Sequence, residues 1–194
     1  MVCKLVAILA LMMVPFPVVG ADEQENIVKA AYIRSALNFA EWPRGSYPVG
    51  SGHFRLGIAG KSREIEKQYR IAFEKLGHRI LNRSVEILSF DSPDKLSDYL
   101  GQPESSCHAL FVPASEASRS KEWIQAAGKR PIPLFSDDPE FISNGGDAML
   151  IPYPTSPGRF QYHIHTNRLK AKKIRFNSGF LRLRTTVKVV SGTP

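Results

Sequence analysis

The chain has 194 residues, 43% of them hydrophobic and 23% charged, and its 26 Lys and Arg outnumber 18 Asp and Glu for a net charge of +8. That balance excludes a disordered chain and fits one domain with a full core. A basic surface suits nucleic acid, an acidic membrane or an acidic partner; the Lys and Arg are dispersed, clustering mainly near the C-terminus in KAKKIRF and FLRLRTTVK, and read first as a solvated face.

In chain order, the first segment is MVCKLVAILALMMVPFPVVGADEQEN: Lys4, an apolar run from Leu5 to Val19, then the small residues of Val19-Gly20-Ala21. Residues 1–21 read as a secretory signal peptide cleaved after Ala21. The run is shorter than the roughly 20 residues a membrane span needs and contains Pro15 and Pro17. Cys3 precedes the apolar run and no cysteine follows at the cleavage site, which argues against a lipoprotein. Residues 22–194 are then one exported domain, for which nucleic acid is not an expected partner. Cys107 is its sole cysteine, so no intramolecular disulfide can form.

NIVKAAYIRSALNFAEWP, from Asn26 to Pro43, predicts a helix ended by Pro43. Its polar residues Arg34, Asn38 and Glu41 fall in one stripe, leaving Val28, Ala31, Tyr32, Ile33, Leu37, Phe39 and Trp42 around most of the circumference. Such a helix is buried on several sides, under a sheet or partly against a second chain, with Phe39 and Trp42 in the core. GSYPVGSG, Gly45 to Gly52, reads as a loop. The strand FRLGIAG then leads into the helical spacing of Ile65, Tyr69, Ala72, Phe73 and Leu76. SVEILSF leads into SPDKLSDYL, CHALFVPAS into EASRSKEWIQAAG, PIPLFSDD into PEFISNGG, and AMLIPYP through a Pro/Gly turn into RFQYHIH. The alternation predicts an α/β fold: a layered α/β/α sandwich with a largely parallel, Rossmann-like sheet in a single domain.

Several stretches imitate catalytic motifs. GIAGKS has Arg55 where a phosphate loop needs glycine, and Gly145-Gly146 reads as a turn. Ser115 and the pair Asp137-Asp138 stand at strand-to-helix joints as helix caps. Cys107 and His108, adjacent on a strand, face opposite ways and form no dyad with each other. Cys107 reads as a buried, inert thiol. His163 and His165 share a strand face, a spacing that can offer two imidazoles to a metal; no nearby Cys, Asp or Glu supplies a third ligand, and neither metal nor cofactor is expected. Two further functions stay open: a small hydrolase using His163 or His165 with Asp137 or Asp138, and a module binding a small anion at the carboxyl ends of the strands.

VKAAYIRSALNFAEWP resembles the opening signature of the YfiR-like family of bacterial periplasmic proteins. Val28, Lys29, Ala30, Ala31, Phe39, Glu41, Trp42 and Pro43 keep the pattern, and Tyr32 replaces an aromatic with an aromatic. The segments FRLGIAG, CHALFVPASE, PIPLFSDDPEFISNGGDAMLIPY and YHIHTNRLKAKKIRFNSGFLRLRTTV extend the resemblance over nearly all of residues 22–194. It implies a periplasmic, non-enzymatic regulator that forms homodimers and represses an inner-membrane diguanylate cyclase by touching its periplasmic sensor domain, lowering cyclic-di-GMP and biofilm formation. Tyr162-His163-Ile164-His165-Thr166 departs from relatives that read F-E-I-N-L, and Cys107 lacks the partner that paired cysteines supply in some relatives. The signature residues Tyr32, Phe39, Glu41, Trp42 and Pro43 are expected to be structural. Partner contact is expected at Tyr162, His163, Ile164, His165 and Leu169, exposed beside a basic rim of Lys170, Lys172, Lys173 and Arg175.

Overall fold

The computed structural model of the chain describes residues 21–43, 52–77, 79–103 and 105–190. The expected leader therefore lies outside the described residues except for Ala21, and the expected Gly45–Gly52 loop lies outside them except for Gly52.

Helix α1 (Ala21–Asn38) and the two-residue strand β1 (Ala40–Glu41) precede β2 (His53–Ala59), α2 (Arg63–Lys75), β3 (Arg79–Ile80), β4 (Arg83–Phe90) and α3 (Pro93–Gly101). Next come β5 (Ala109–Val112), a 3-10 helix (Ala114–Arg119), α4 (Ser120–Ala127) and β6 (Leu134–Ser136). The chain continues through β7 (Ala148–Pro152), β8 (Phe160–His165), α5 (Thr166–Ala171), β9 (Arg175–Phe176), α6 (Ser178–Leu181) and β10 (Val187–Val190). Eight strands make one sheet in the order β10-β8-β7-β6-β5-β2-β4-β3, while β1 and β9 pair separately. Strands β4, β2, β5, β6 and β7 run parallel, β8 turns back against β7, β10 runs parallel to β8, and β3 is antiparallel to β4. The predicted layered, largely parallel α/β architecture in a single domain is the one observed.

The layers follow from strand alternation. Phe54, Leu56, Ala109, Phe111, Leu150, Tyr162 and Ile164 belong to the core shared with Ala30, Ile33 and Leu37 of α1 and with Tyr69, Ala72 and Phe73 of α2. Leu110, Val112 and Leu134 belong to the core on the opposite face, with Leu96 of α3 and Trp123 of α4. Helix α2 forms as predicted: Ser62 Oγ accepts from Ile65 N at 3.3 Å, Glu64 and Glu66 sit in the positive first turn, and Tyr69, Ala72 and Phe73 face the sheet. Each fully buried large side chain of this kind contributes roughly 1.5–3 kcal/mol.

Two elements differ from expectation. Helix α1 stops at Asn38, not at Trp42, because Phe39 O accepts from Asn177 N at 3.0 Å and the next two residues pair with β9, Ala40 opposite Phe176 and Glu41 opposite Arg175. The segment PEFISNGG forms consecutive turns in place of a helix. Gly146 N bonds back to Phe141 O at 2.9 Å, and a Cβ on Gly146 would meet the Phe141 ring at 2.2 Å, so the chain folds tightly over its own phenylalanine.

Candidate functional site

On β8, Tyr162 and Ile164 point toward α1 and are 2% and 0% exposed. The Tyr162 hydroxyl donates to Tyr32 O at 2.7 Å, and its ring packs against Tyr32 and Phe180. Leu169 is equally buried. The expectation that Tyr162, Ile164 and Leu169 form an exposed apolar surface is therefore corrected: α1, α5 and α6 fold over that side of β8 and take these residues into the core. His165 is buried too, its Nδ1 accepting from Arg168 N at 3.3 Å as the cap of α5. His163 faces the other side, half-buried, its Nε2 3.2 Å from Gln161 Oε1. Burial first, then the nearby Lys188 charge, hold its pKa below the ordinary imidazole value.

The two aspartates are engaged elsewhere. Asp137 takes Lys29 Nζ at 2.6 Å and Ala114 N at 2.6 Å, so it caps the start of the 3-10 helix that follows β5, not an element of its own segment. Asp138 Oδ1 accepts from Glu140 N at 3.0 Å, closing the next turn. Ser136, at the end of β6, pairs with Met149 of β7, which pairs with His163, so a full strand separates His163 from the aspartate segment. The groups of the hydrolase alternative thus hold separate structural posts. Among the described residues no three His, Cys, Asp or Glu side chains gather as a metal site. Cys107 and His108 do face opposite ways: Cys107 lies in the core with α3 and α4, where burial pushes its thiol up to about 12, while His108 packs on Phe54 and accepts from Arg55 N at 2.7 Å.

Two surface features remain. The chain crosses back over β2 between β4 and β5, and the carboxyl ends there open into a groove of about 410 Å³ lined by Glu25, Asn26, Lys29, Ile65, Ala114 and Asp137. Lys29 is 8% exposed between Glu25 and Asp137, both 2.6 Å away. Burial would lower its pKa, but the bonds to the two carboxylates outweigh that and raise it. The second feature lies at the β10 end of the sheet, where Phe39, Leu183 and Val189 are 38%, 48% and 46% exposed, the largest exposed apolar groups among the described residues. Phe39 stacks on Phe180 at 5.3 Å, and Val189 borders a groove of about 240 Å³ lined also by Leu169, Ile174, Phe176 and Leu181. Sequence reasoning named none of Leu183, Val189 or an exposed Phe39. The running charge, already read as a basic rim at Lys170, Lys172, Lys173 and Arg175, does point to this segment. From Ala148 onward the chain has nine Lys and Arg and no Asp or Glu, so this segment carries more than the whole net charge of +8.

The YfiR/HmsC-like family model matches residues 26–184. The chain belongs to the YfiR/HmsC-like family. No curated protein matches it. A conserved domain protein from Vibrio cholerae O1 biovar El Tor strain N16961 superposes with a TM-score of 0.53 at 11% identity, covering 86% of this chain and 60% of that one. An ABC domain from Streptococcus pneumoniae, in complex with L-Trp, superposes with a TM-score of 0.51 at 13% identity, covering 71% of this chain and 55% of that one. At these identities the likeness is one of fold, and this chain spans little more than half the length of either.

The YfiR/HmsC-like family is one of periplasmic regulators in diguanylate cyclase signalling, and no helix among the described residues here is long and apolar enough to cross a membrane. Several residues of the opening signature pack around α1. Tyr32 meets Phe160 edge to face at 5.6 Å, Trp42 meets Phe54 at 5.8 Å, and Lys29 reaches the strand ends. Phe39 departs from the expected core role, because the early end of α1 leaves it on the surface over α6.

Proposed function

We propose that this chain is an exported regulator that represses an inner-membrane diguanylate cyclase by contacting its periplasmic sensor domain, lowering cyclic-di-GMP and biofilm formation. Family membership across residues 26–184 supports the signalling role. The observation that carries the contact is the exposure of Leu183 and Val189 in the part of the chain that has nine cations and no acid, with Phe39 exposed against Phe180 of the same segment. Apolar anchors ringed by one sign of charge give affinity through the anchors and fast, oriented encounter through the ring. The chain reaches the periplasm by cleavage after Ala21 and acts as a homodimer, which intact mass and light scattering of the recovered protein check. The direct test is deletion of the gene: cyclic-di-GMP rises, and an unchanged level contradicts the proposal.

The strand-end groove favours a second reading, a small-ligand module. It lies where open α/β sheets bind ligands, and the Streptococcus pneumoniae domain that shares the fold holds L-Trp. Calorimetric titration with L-tryptophan tests it, with Asp137→Asn removing any heat of binding; no heat in the unaltered protein removes this reading.

A further inference from the structure

We propose that the open edge of β10 receives an added strand from the partner, an acidic extended segment with apolar and acidic side chains in alternation. The inference rests on the repressor reading and specifies how the contact is made. Strand β10 ends the eight-strand sheet, and among the described residues only β8 pairs with it. Tyr162 N donates to Thr186 O at 2.7 Å, and Val187 and Val189 stand opposite Tyr162 and Ile164. In a parallel ladder that register sends the main-chain groups of the intervening residues to β8 and turns those of Val189 to the open edge. An edge of this kind is a template for a further strand.

The side chains state what such a strand must carry. Val189 lies on the α6 side, against the apolar groove of Leu169, Ile174, Phe176 and Leu181. Lys188 is exposed on the opposite side, near His163. An added strand therefore meets an apolar surface on one face and a cation on the other, with Lys170 and Arg175 at the groove's end. Residues 148–194 contain no acid of their own; of the nine cations, Lys172 is taken by Asp147 and Arg175 lies opposite Glu41 across β1 and β9, which leaves the others, Lys170 and Lys188 among them, without an ion pair among the described residues. This argues against a second copy of the same edge, which would bring like charges together, and for an acidic segment. A groove beside main chain left unpaired among the described residues also suits a polypeptide better than a lipid surface, which offers no backbone to pair.

The test uses the full exported chain and fluorescently labelled hexapeptides: alternating Glu-Val, alternating Lys-Val, and Glu-Val with alternate amides N-methylated to block one edge. Glu-Val should bind, more tightly at low salt, and lose at least about tenfold on N-methylation, while Lys-Val should not bind. Val189→Pro removes an edge donor that β8 does not use, and Lys188→Glu reverses the facing charge without touching the main chain. Each should weaken Glu-Val binding about tenfold or more, and the second remains informative if the first fails to fold. Equal binding of the methylated peptide, no binding of Glu-Val, or sedimentation with phosphatidylglycerol vesicles in place of peptide binding overturns the proposal. So does a dimer dispersed by Val189→Pro, because a second copy then occupies the edge. In cells, a deletion that raises cyclic-di-GMP together with folded edge variants that repress normally defeats the strand addition and leaves the repressor reading standing. A deletion without effect, alongside peptide binding as expected, defeats the repressor reading alone.

Discussion

The two ends of the sheet treat charge in opposite ways. Over β2, β4 and β5 and their helices, five cations are matched inside the chain: Lys29 with Glu25 and Asp137, Arg55 with Glu86, Arg70 with Glu66, Lys95 with Asp91, and Arg119 with Glu122. At the β8–β10 end the one ion pair among the described residues is Lys172 with Asp147 at 2.6 Å, and that acid belongs to the turn before β7. Isolated surface pairs contribute little to stability, so the contrast is less about holding the fold than about what is left for others. Residues 22–147 carry 16 Lys and Arg against all 18 Asp and Glu and are nearly balanced, whereas the β10 end exposes cations and apolar groups with no acid of its own segment.

Removing the ion pair of Lys172 with Asp147 should have the largest effect on the fold. Asp147 is fully buried, and burial raises its carboxyl pKa while Lys172 pulls it back. Lys172→Met leaves that carboxylate without its cation and should cost about 3–5 kcal/mol in urea unfolding, whereas a loss below about 1 kcal/mol would show that the fold does not depend on the pair. On the presenting side, Leu183→Asp should leave unfolding within about 0.5 kcal/mol of the unaltered protein yet weaken partner binding by about 2–4 kcal/mol in calorimetry. A stability loss equal to the binding loss would make Leu183 part of the fold.

His108 separates the regions by pH. Burial first, then the Arg55 charge, lower its pKa to about 4 from the ordinary imidazole value of 6.5, so the unfolded chain takes up a proton that the folded chain refuses. The stability this contributes is present above pH 6.5 and is lost as the pH falls toward about 4, by roughly 1–3 kcal/mol. Thermal unfolding of His108→Gln should show a flatter acid limb than the unaltered protein, and parallel limbs would refute this. Cys107→Ser should cost about 1–2 kcal/mol, because a hydroxyl replaces a thiol in an apolar core, with repression unchanged; a linked dimer as the active species on a non-reducing gel would contradict it. The smallest effect belongs to the rim: Lys170→Gln should slow association by less than about tenfold, and only at low salt.

What was legible in the sequence follows the same division. Strand-helix alternation from FRLGIAG to CHALFVPAS gave the layers, because β2, β4 and β5 are each followed by helical cover whose apolar spacing can be read locally, as in Ile65, Tyr69, Ala72 and Phe73. The β10 end was not legible in this way. Its cover comes from short pieces, α5 and α6, and from contacts such as Tyr162 to Tyr32, 130 residues apart in sequence. Alternation on β8 showed that Tyr162 and Ile164 share a face, but not that the tail returns over it, so a buried face was expected to be exposed. Phe39 was misplaced for the converse reason: pairing of Ala40 with Phe176 stops α1 before Pro43 can.

The central claim is that this chain holds down a cyclase through its uncompensated end. It is tested most directly by measuring cyclic-di-GMP in a deletion strain that carries the unaltered gene or the folded, exported Leu183→Asp variant. The unaltered gene should restore the low level, and Leu183→Asp should leave it as high as in the deletion. Equal restoration by both would contradict it.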